Sequence, residues 1–369
     1  MIKLVYVYTS IAIKGGVERV LVEKVNLLAK DNNYDVTLLT YNQGDHPLAF
    51  PIDDKVHYKD LKVRTHIKYR HNGVRRWWYN IRLHRLLSKR LHQALDEIRP
   101  DIIITTTSDQ ISLLTRLKGK AAFVVESHGG YDHIIDYPNE SLVHRWDLYR
   151  RKALLHKADV IVTLTRADAE RWSQHYSQVK VIQNVLKLSP VTSQLNTKNI
   201  VFVGRFVKQK GIEEMFAVWD LVHKRHSDWT LLMYGEEHEK YCNRQIPGII
   251  MNGPTDKIFD VYRDSSMLLL TSLWEPFGLV VGEAMSCGLP VVAMECDGPS
   301  DIITDGVDGF LVKDRDIEAF ADRVCQLIED VELRRRMGQE AVKKVQRYSA
   351  DAIMPMWKQL FETLNRSRQ

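Results

Sequence analysis

The chain has 369 residues, 44% of them hydrophobic, too long for one domain of ordinary size and rich enough to bury two cores. No apolar run approaches the roughly 18 residues of a membrane span, and the four cysteines, Cys242, Cys287, Cys296 and Cys325, lack Cys-x-x-Cys spacing and point to reduced thiols in a cytoplasmic protein. The net charge of +5 comes from one segment: Leu61 to Leu95 holds ten Lys or Arg and no Asp or Glu, leaving 42 basic against 47 acidic residues elsewhere.

Lys3 to Thr9 reads as a first buried strand. The stretch Ile2 to Ile13 contains Lys3, Thr9 and Ser10 and runs into Lys14-Gly15-Gly16 without a small-residue cleavage pattern, so it does not read as a secretion signal. Ile13 to Glu18 is a glycine loop. Val17 to Lys30 follows with Val20, Leu21, Val25, Leu28 and Ala29 at helical spacing. A strand, Gly15-Gly16 and a helix can bring backbone amides to a phosphate or sugar, or can simply turn the chain tightly. The loop is neither Gly-x-Gly-x-x-Gly nor a Walker loop, which argues against a nicotinamide or P-loop enzyme.

Asp35 to Tyr41 is the second strand, and a helix is predicted over Arg75 to Ile98. Its start interleaves Arg75, Arg76, Arg82 and Arg85 with Trp77 and Trp78. Near an anionic leaflet each cation contributes about 1 kcal/mol, and Trp favours the interface. The whole strip, Lys62, Arg64, Lys68, Arg70, Arg75, Arg76, Arg82, Arg85, Lys89 and Arg90, is offset by no acid and therefore suits an anionic membrane surface. The alternatives are a solvated basic helix or a grip on an anionic soluble acceptor. No nucleic-acid motif accompanies the charge, so no nucleic-acid partner is expected. Ile102 to Thr106 and Ala121 to Glu126 are further strands. The second ends in Ser127-His128-Gly129-Gly130, which puts His128 at a strand's carboxyl end. Leu142 to Lys157 is helical, Ala158 to Leu164 is a strand, and residues 186–197, polar and Pro/Ser/Thr-bearing, read as a linker.

Past the linker, strand Asn199 to Val203 leads into Gly204-Arg205-Phe206-Val207-Lys208-Gln209-Lys210-Gly211 and a helix from Ile212. Cations between a strand and a helix suit a phosphate, Arg by forking two oxygens and Lys as a point charge. Trp229 to Tyr234, ending at Gly235, and Gly248 to Gly253 are strands. Met267 to Leu270 is another, followed by Glu275-Pro276-Phe277-Gly278-Leu279-Val280-Val281-Gly282-Glu283 and the strand Val291 to Ala293. Glu275 then sits in a loop at a strand's carboxyl end, and Glu283 on the helix after it. That edge is where open α/β sheets bind ligands, and amides at Gly278, Leu279 and Val280 can hold an anion without a metal. The plainer alternative makes Glu275 a loop cap and Glu283 a solvated helix residue. Ile317 to Ile328, Val331 to Arg347 and Asp351 to Leu364 complete the chain as helices, the last with Trp357, Leu360, Phe361 and Leu364 on one face.

The stretch from Ser265 to Val312 resembles the retaining glycosyltransferases of family 4. Glu275 to Glu283 matches their Glu-x7-Glu signature, and Glu283-Ala284-Met285-Ser286-Cys287-Gly288-Leu289-Pro290-Val291-Val292 matches the run that follows it. Gly204 to Gly211 is similar to their Gly-Arg-x-x-x-x-Lys-Gly motif. In the first half the likeness rests on Gly15-Gly16, His128 and Asn184. The resemblance implies a GT-B fold: α/β, two doubly wound Rossmann-like domains facing across a cleft, residues 1–185 and 198–347, with a helical segment 348–369 returning to the first domain.

It also implies roles. Arg205 and Lys210 hold the donor diphosphate, and Gly15-Gly16 face the diphosphate and the transferred sugar. Gly235 lies near the base. His128 and Glu275 hold the reacting sugar, and Glu283 grips the ribose. Phe277, Gly278, Leu279 and Val280 belong to the donor loop. The expected reaction transfers a sugar, with retention, from a nucleotide diphosphate donor to a hydroxyl acceptor, with no metal and no cofactor. UDP is the expected nucleotide. The run Gly298-Pro299-Ser300 resembles transferases of bacterial surface-polysaccharide assembly, which implies a lipid-linked glycan, lipopolysaccharide or capsular precursor as acceptor and a peripheral place on the inner face of the plasma membrane. The rival readings are a nucleotide-sugar epimerase or a phosphorylase on the same fold, and a non-enzymatic membrane- or glycan-binding protein.

Overall fold

The computed structural model describes residues 1–107, 110–135, 142–313 and 315–368. The chain forms two compact α/β units, Met1–Val185 with Ile353–Gln369, and Leu186–Ala352.

The first unit runs β1 (Ile2–Tyr8), α1 (Gly16–Ala29), β2 (Tyr34–Thr40), β3 (His57–Asp60), α2 (Gly73–Ile98), β4 (Ile102–Thr106), α3 (Ile111–Leu117), β5 (Ala122–Glu126), α4 (Tyr131–Ile134), α5 (Leu142–Leu155), β6 (Val160–Thr163), α6 (Arg166–Ser173) and β7 (Val179–Val181). The strands form one parallel sheet in the order β3-β2-β1-β4-β5-β6-β7. β4 and β5 are buried throughout, because helices cover both faces of such a sheet and the strands become apolar runs. β3 went unread in the sequence: it is an edge strand of His-Tyr-Lys-Asp with no fully buried residue, so it carries no apolar pattern. The chain moves outward from β1 to β3, then crosses back to β4 on the other side of β1. This reversal is the topological switch point.

The second unit runs β8 (Asn199–Val203), α7 (Ile212–Arg225), β9 (Thr230–Tyr234), β10 (Ile249–Asn252), α8 (Ile258–Arg263), β11 (Met267–Leu270), α9 (Leu279–Ser286), β12 (Val291–Met294), α10 (Asp297–Ile302), β13 (Gly309–Val312), α11 (Ile317–Glu329) and α12 (Val331–Val345). Its parallel sheet has the order β10-β9-β8-β11-β12-β13, with the switch between β8 and β11. Phe202, Met215, Trp219, Leu231, Leu269 and Phe320 centre its core. Two Rossmann-like parallel sheets with interleaved helices are thus present, as the sequence predicted.

Residues 186–197 are not a free linker. The Leu186 amide donates to the Tyr348 carbonyl at 2.8 Å, the Ser189 amide to Ser286 Oγ at 3.0 Å, and the Ser193 amide to the Cys287 carbonyl at 2.7 Å. Leu186 and Leu195 are buried, so the segment straps the second unit. Polar composition reads as a linker, but here the hydroxyls satisfy neighbouring backbone rather than water.

The last helix, α13 (Ala350–Arg366), contributes its residues from Ile353 onward to the first unit. Phe361 meets the edge of Tyr34 with ring centroids 6.2 Å apart, Lys358 pairs with Asp31, and Trp357 lies under the ammonium of Lys24.

Candidate functional site

In the second unit the sequence-predicted residues gather at the carboxyl ends of the strands flanking the switch point. Gly204 and Arg205 leave β8, and Thr271 to Glu275 leave β11. The two loops are stitched together. Thr271 Oγ1 donates to the Gly211 carbonyl at 2.8 Å, the Leu273 amide to the Gln209 carbonyl at 2.8 Å, and Gln209 Nε2 to the Trp274 carbonyl at 3.2 Å. Gly211 is required twice over: its φ is +63°, and a Cβ there would lie 1.9 Å from the Thr271 carbonyl oxygen. The result is an ion pair between Lys210 and Glu275, whose side chains are only 15% and 12% exposed. Glu275 is therefore more than a loop cap. Its own carbonyl accepts from the Gly298 amide at 2.8 Å, and a Cβ at Gly298 would lie 2.2 Å from the Phe277 oxygen. The Gly298-Pro299 run thus backs the loop that carries Glu275.

Gly278, with φ +88°, turns the chain into α9, and the first amide bonded within that turn is Val281's, to the Gly278 carbonyl. The amides of Gly278, Leu279 and Val280 precede the helical ladder, as helix starts require. Glu283 is 2% exposed, which removes the alternative of a solvated helix residue. Phe277 is buried, edge-on to Tyr348 at 5.7 Å. The Gly235 amide donates to the Asn252 carbonyl at 3.1 Å and ties the end of β9 to β10. Arg205 is exposed, as is Lys208. After the Lys240 hydrogen bond, the Arg205 charge helps hold the Glu237 carboxyl below its usual value. Burial and then the Glu275 charge push the Cys296 thiol up to about 12, so this neighbouring cysteine is no thiolate nucleophile.

In the first unit, Gly15 caps α1 in an extended conformation, φ −88°, so the Gly15-Gly16 pair does not form a left-handed turn there. Tyr8 Oη donates to Glu18 Oε1 at 3.0 Å, which draws the Glu18 carboxylate to the end of β1. His128 lies two residues beyond the end of β5. Its Nε2 is 3.0 Å from Glu126 Oε2. Glu126 also pairs with Lys24 of α1, and the side chains of Lys24, Glu126 and His128 are 4%, 7% and 8% exposed. Burial alone would raise the Glu126 carboxyl, but the Lys24 charge and the hydrogen bonds from His128 and Lys24 outweigh it and hold the pKa at about 2. Burial lowers Lys24 against the opposing pull of Glu126, and burial, then Glu126, raises Tyr6 well above its ordinary value. Asn184 is buried just before the unit boundary.

Sequence reading missed Lys24, Glu126, Gln209 and Thr271. Lys24 was hidden as an ordinary helix lysine and Glu126 as the last residue of an apolar strand. An acid directly behind Ser127-His128 was the one available signal.

The basic segment divides. Arg75, Arg76, Arg82 and Arg85 are exposed, and Trp77 and Trp78 are 63% and 58% exposed. Buried positions on α2 begin only at Leu83 and continue at Leu87, Leu91, Ala94 and Leu95, so its first turns stand off the core. Arg64 and Arg90 leave the strip. Arg64 pairs with Asp45, and Arg90 Nη1 donates to the Leu61 and Lys62 carbonyls at 2.6 and 2.9 Å. The expectation that no acid offsets the strip therefore fails at Arg64, because Asp45, which precedes the basic segment in sequence, folds against it. Among the described residues there is no cluster of His, Cys, Asp or Glu that could hold a metal ion, and no helix long and apolar enough to cross a membrane.

Two family models match the chain in tandem: Glycosyltransferase Family 4 over residues 14–189, and Glycosyl transferases group 1 over residues 197–330. Among curated relatives, the amylovoran biosynthesis glycosyltransferase AmsD of Erwinia amylovora is 27% identical, with 97% of this chain and 99% of that protein covered. S. aureus TarM, solved as a variant with fondaparinux, alpha-GlcNAc-glycerol and UDP, superposes with a TM-score of 0.76 at 15% identity, over 98% of this chain and 100% of that one. Anabaena HepE, solved with UDP and glucose, gives a TM-score of 0.74 at 18% identity, over 98% and 100%. At such identities the structural likeness is one of fold.

Proposed function

The chain belongs to the family 4-like glycosyltransferases of GT-B fold, and from that premise we propose that it is a retaining, metal-independent hexosyltransferase using a UDP-sugar. The observation that carries this reading is the joined pair of loops at the β8/β11 switch point, which sets Lys210 against Glu275 beside the start of α9. A leaving diphosphate gains charge in the transition state, so cations and amides fixed in advance stabilise it most. Lys210, Arg205 and the amides of Gly278, Leu279 and Val280 supply both, in place of a metal. Glu275 and His128 hold the sugar as it gains oxocarbenium character, and buried Glu283 grips the ribose. Gly15-Gly16 face the diphosphate and sugar, and Gly235 lies near the base. The bond from the anomeric carbon to the diphosphate oxygen breaks, and the acceptor oxygen bonds that carbon on the same face. The acceptor proton passes to the leaving phosphate oxygen, so no protein nucleophile is required. The UDP named with TarM and HepE supports the choice of nucleotide.

For the acceptor we propose a lipid-linked glycan, lipopolysaccharide or capsular precursor. The polysaccharide named for AmsD and the exposed Trp77, Trp78 and arginines of α2 support it. The cations would hold the enzyme peripherally on the anionic inner face of the plasma membrane. A panel of UDP-, GDP-, ADP- and dTDP-sugars, read by thermal stabilisation and by slow donor hydrolysis, tests the donor. UDP-sugars should raise the melting temperature and be hydrolysed. A response to another nucleotide alone changes the base, and no response to any sinks the transferase reading.

A further inference from the structure

Four elements of the first unit meet around one buried ion pair, Lys24 with Glu126. Glu126 ends β5, Lys24 comes from α1, Tyr6 from β1 and Trp357 from α13. The Lys24 ammonium lies 3.9 Å from the Trp357 ring centroid and 5.4 Å from that of Tyr6, and it pairs with one oxygen of Glu126. The other oxygen, Oε2, faces His128 Nε2 at 3.0 Å. An ionised carboxylate only accepts hydrogen bonds. The ring nitrogen facing it therefore carries the proton, and in a neutral imidazole Nδ1 is left as the acceptor.

We propose that Glu126 is a positioning residue for His128: its carboxylate accepts the Nε2–H hydrogen bond, fixes that tautomer and presents Nδ1 to a hydroxyl of the donor sugar, while Lys24, seated on Trp357, holds the carboxylate in place. The inference rests on the reading of His128 as a sugar-holding residue. It gives Lys24 and the last helix a task in turnover that their distance in sequence conceals. With Lys24 present the low pKa of Glu126 keeps the acceptor form at any working pH. Without Lys24 the buried carboxyl loses its cation. It then protonates at higher pH and can donate to the ring instead, which reverses the tautomer.

The test uses the full chain. Glu126→Gln alone strands a buried lysine, so Lys24→Met/Glu126→Gln is made beside it to keep the site neutral and folded, with melting temperature as the control. Donor hydrolysis is followed with whichever of UDP-glucose, UDP-galactose and UDP-N-acetylglucosamine the wild type turns over. The double variant should lose roughly 10- to 100-fold in kcat, by analogy with the loss seen when the carboxylate behind a metal-bound histidine is removed, while UDP affinity stays within about twofold. In Lys24→Met the acid limb of kcat should move to higher pH, because the buried carboxyl that has lost its cation protonates sooner. Histidine ring 15N spectra, assigned with His128→Ala, should show the Nε2–H form in the wild type and a mixture of tautomers in the double variant, whose amide can accept or donate. An unchanged tautomer, or an unchanged pH profile in Lys24→Met, overturns the proposal. Wild-type turnover in the double variant with His128→Ala impaired overturns the positioning role alone. Wild-type turnover in His128→Ala overturns the reading of His128 beneath it.

Discussion

Lys210 meets Glu275 because Gly211 lets the chain turn where a Cβ would strike the Thr271 carbonyl, and because Gln209 bonds across to the loop after β11. Two residues far apart in sequence are thereby set in place before any donor arrives. Arg205→Ala and Lys210→Ala should each cut kcat by roughly 100- to 1000-fold, or about 2.7–4 kcal/mol, the usual loss for one preorganised charge-stabilising contact. Losses below about tenfold for both in protein that melts normally would move the diphosphate elsewhere. The two glutamates should separate kinetically. On the proposed reading Glu283 grips the ribose in ground and transition states alike, so Glu283→Ala should weaken UDP binding; Glu275→Ala should lower kcat. Calorimetric UDP affinity beside saturating rates decides it, and normal UDP binding by Glu283→Ala rejects the ribose role. The motif residues were legible in the sequence because their spacing is local. Their partners Gln209, Thr271 and Glu126 were not, because ordinary residue types acquire these tasks only through contact.

At the scale of elements, α2 is two helices in one. From Leu83 onward buried leucines and Ala94 recur at helical spacing and bind it to the core. Before Leu83 it has no buried residue and exposes Val74, Trp77 and Trp78 among arginines. α5 adds exposed Trp146 and Tyr149, and Arg150 Nη2 donates to Ser112 Oγ of α3 at 2.8 Å. Partial burial, then the cations Arg116, Arg150 and Lys68, lower the pKa of His84, so charge from α3, α5 and the 3-10 turn before α2 converges there. Flotation with anionic and neutral vesicles checks the membrane reading. Binding should require anionic lipid, weaken with salt, and drop when Arg75, Arg76, Arg82 and Arg85 become Ser. Each lost cation removes about 1 kcal/mol near the surface. Equal binding to neutral vesicles, or none to anionic ones, rejects the surface and leaves the transferase reading standing.

At the scale of the molecule, the chain's last helix completes the first unit's core rather than the second's. Trp357 and Phe361 are buried there, and Trp357 carries Lys24. Trp357→Ala should destabilise that unit by about 3–5 kcal/mol, the range for a buried aromatic truncated to Ala. Denaturant melts would read this, and a change under about 1 kcal/mol would mean the helix contributes little. Acid should act through the same cluster. Glu126 lies at about 2 in the folded chain against an ordinary 4.5, so its stabilisation is full above pH 4.5 and is lost as pH falls from there toward 2. Lys24→Met/Glu126→Gln should lack that part of the acid loss when melting temperature is followed over the same range. An identical acid profile would place the lost stability in other carboxylates.

The sequence alone determined the strands and helices with strong apolar periods, the alternation that makes parallel sheets, and the motifs around Arg205, Lys210, Glu275 and Glu283. Each of these is a property of neighbours in the chain. Only the tertiary structure decided that Lys24 would lie against Glu126, that Lys210 would pair with Glu275, that residues 186–197 would be bonded down, and that Arg64 and Arg90 would turn away from the basic strip. The reason is topological. Sheet order and crossover bring together residues 102 and 65 positions apart, and no local pattern records which polar side chain will find its partner once both are withdrawn from water.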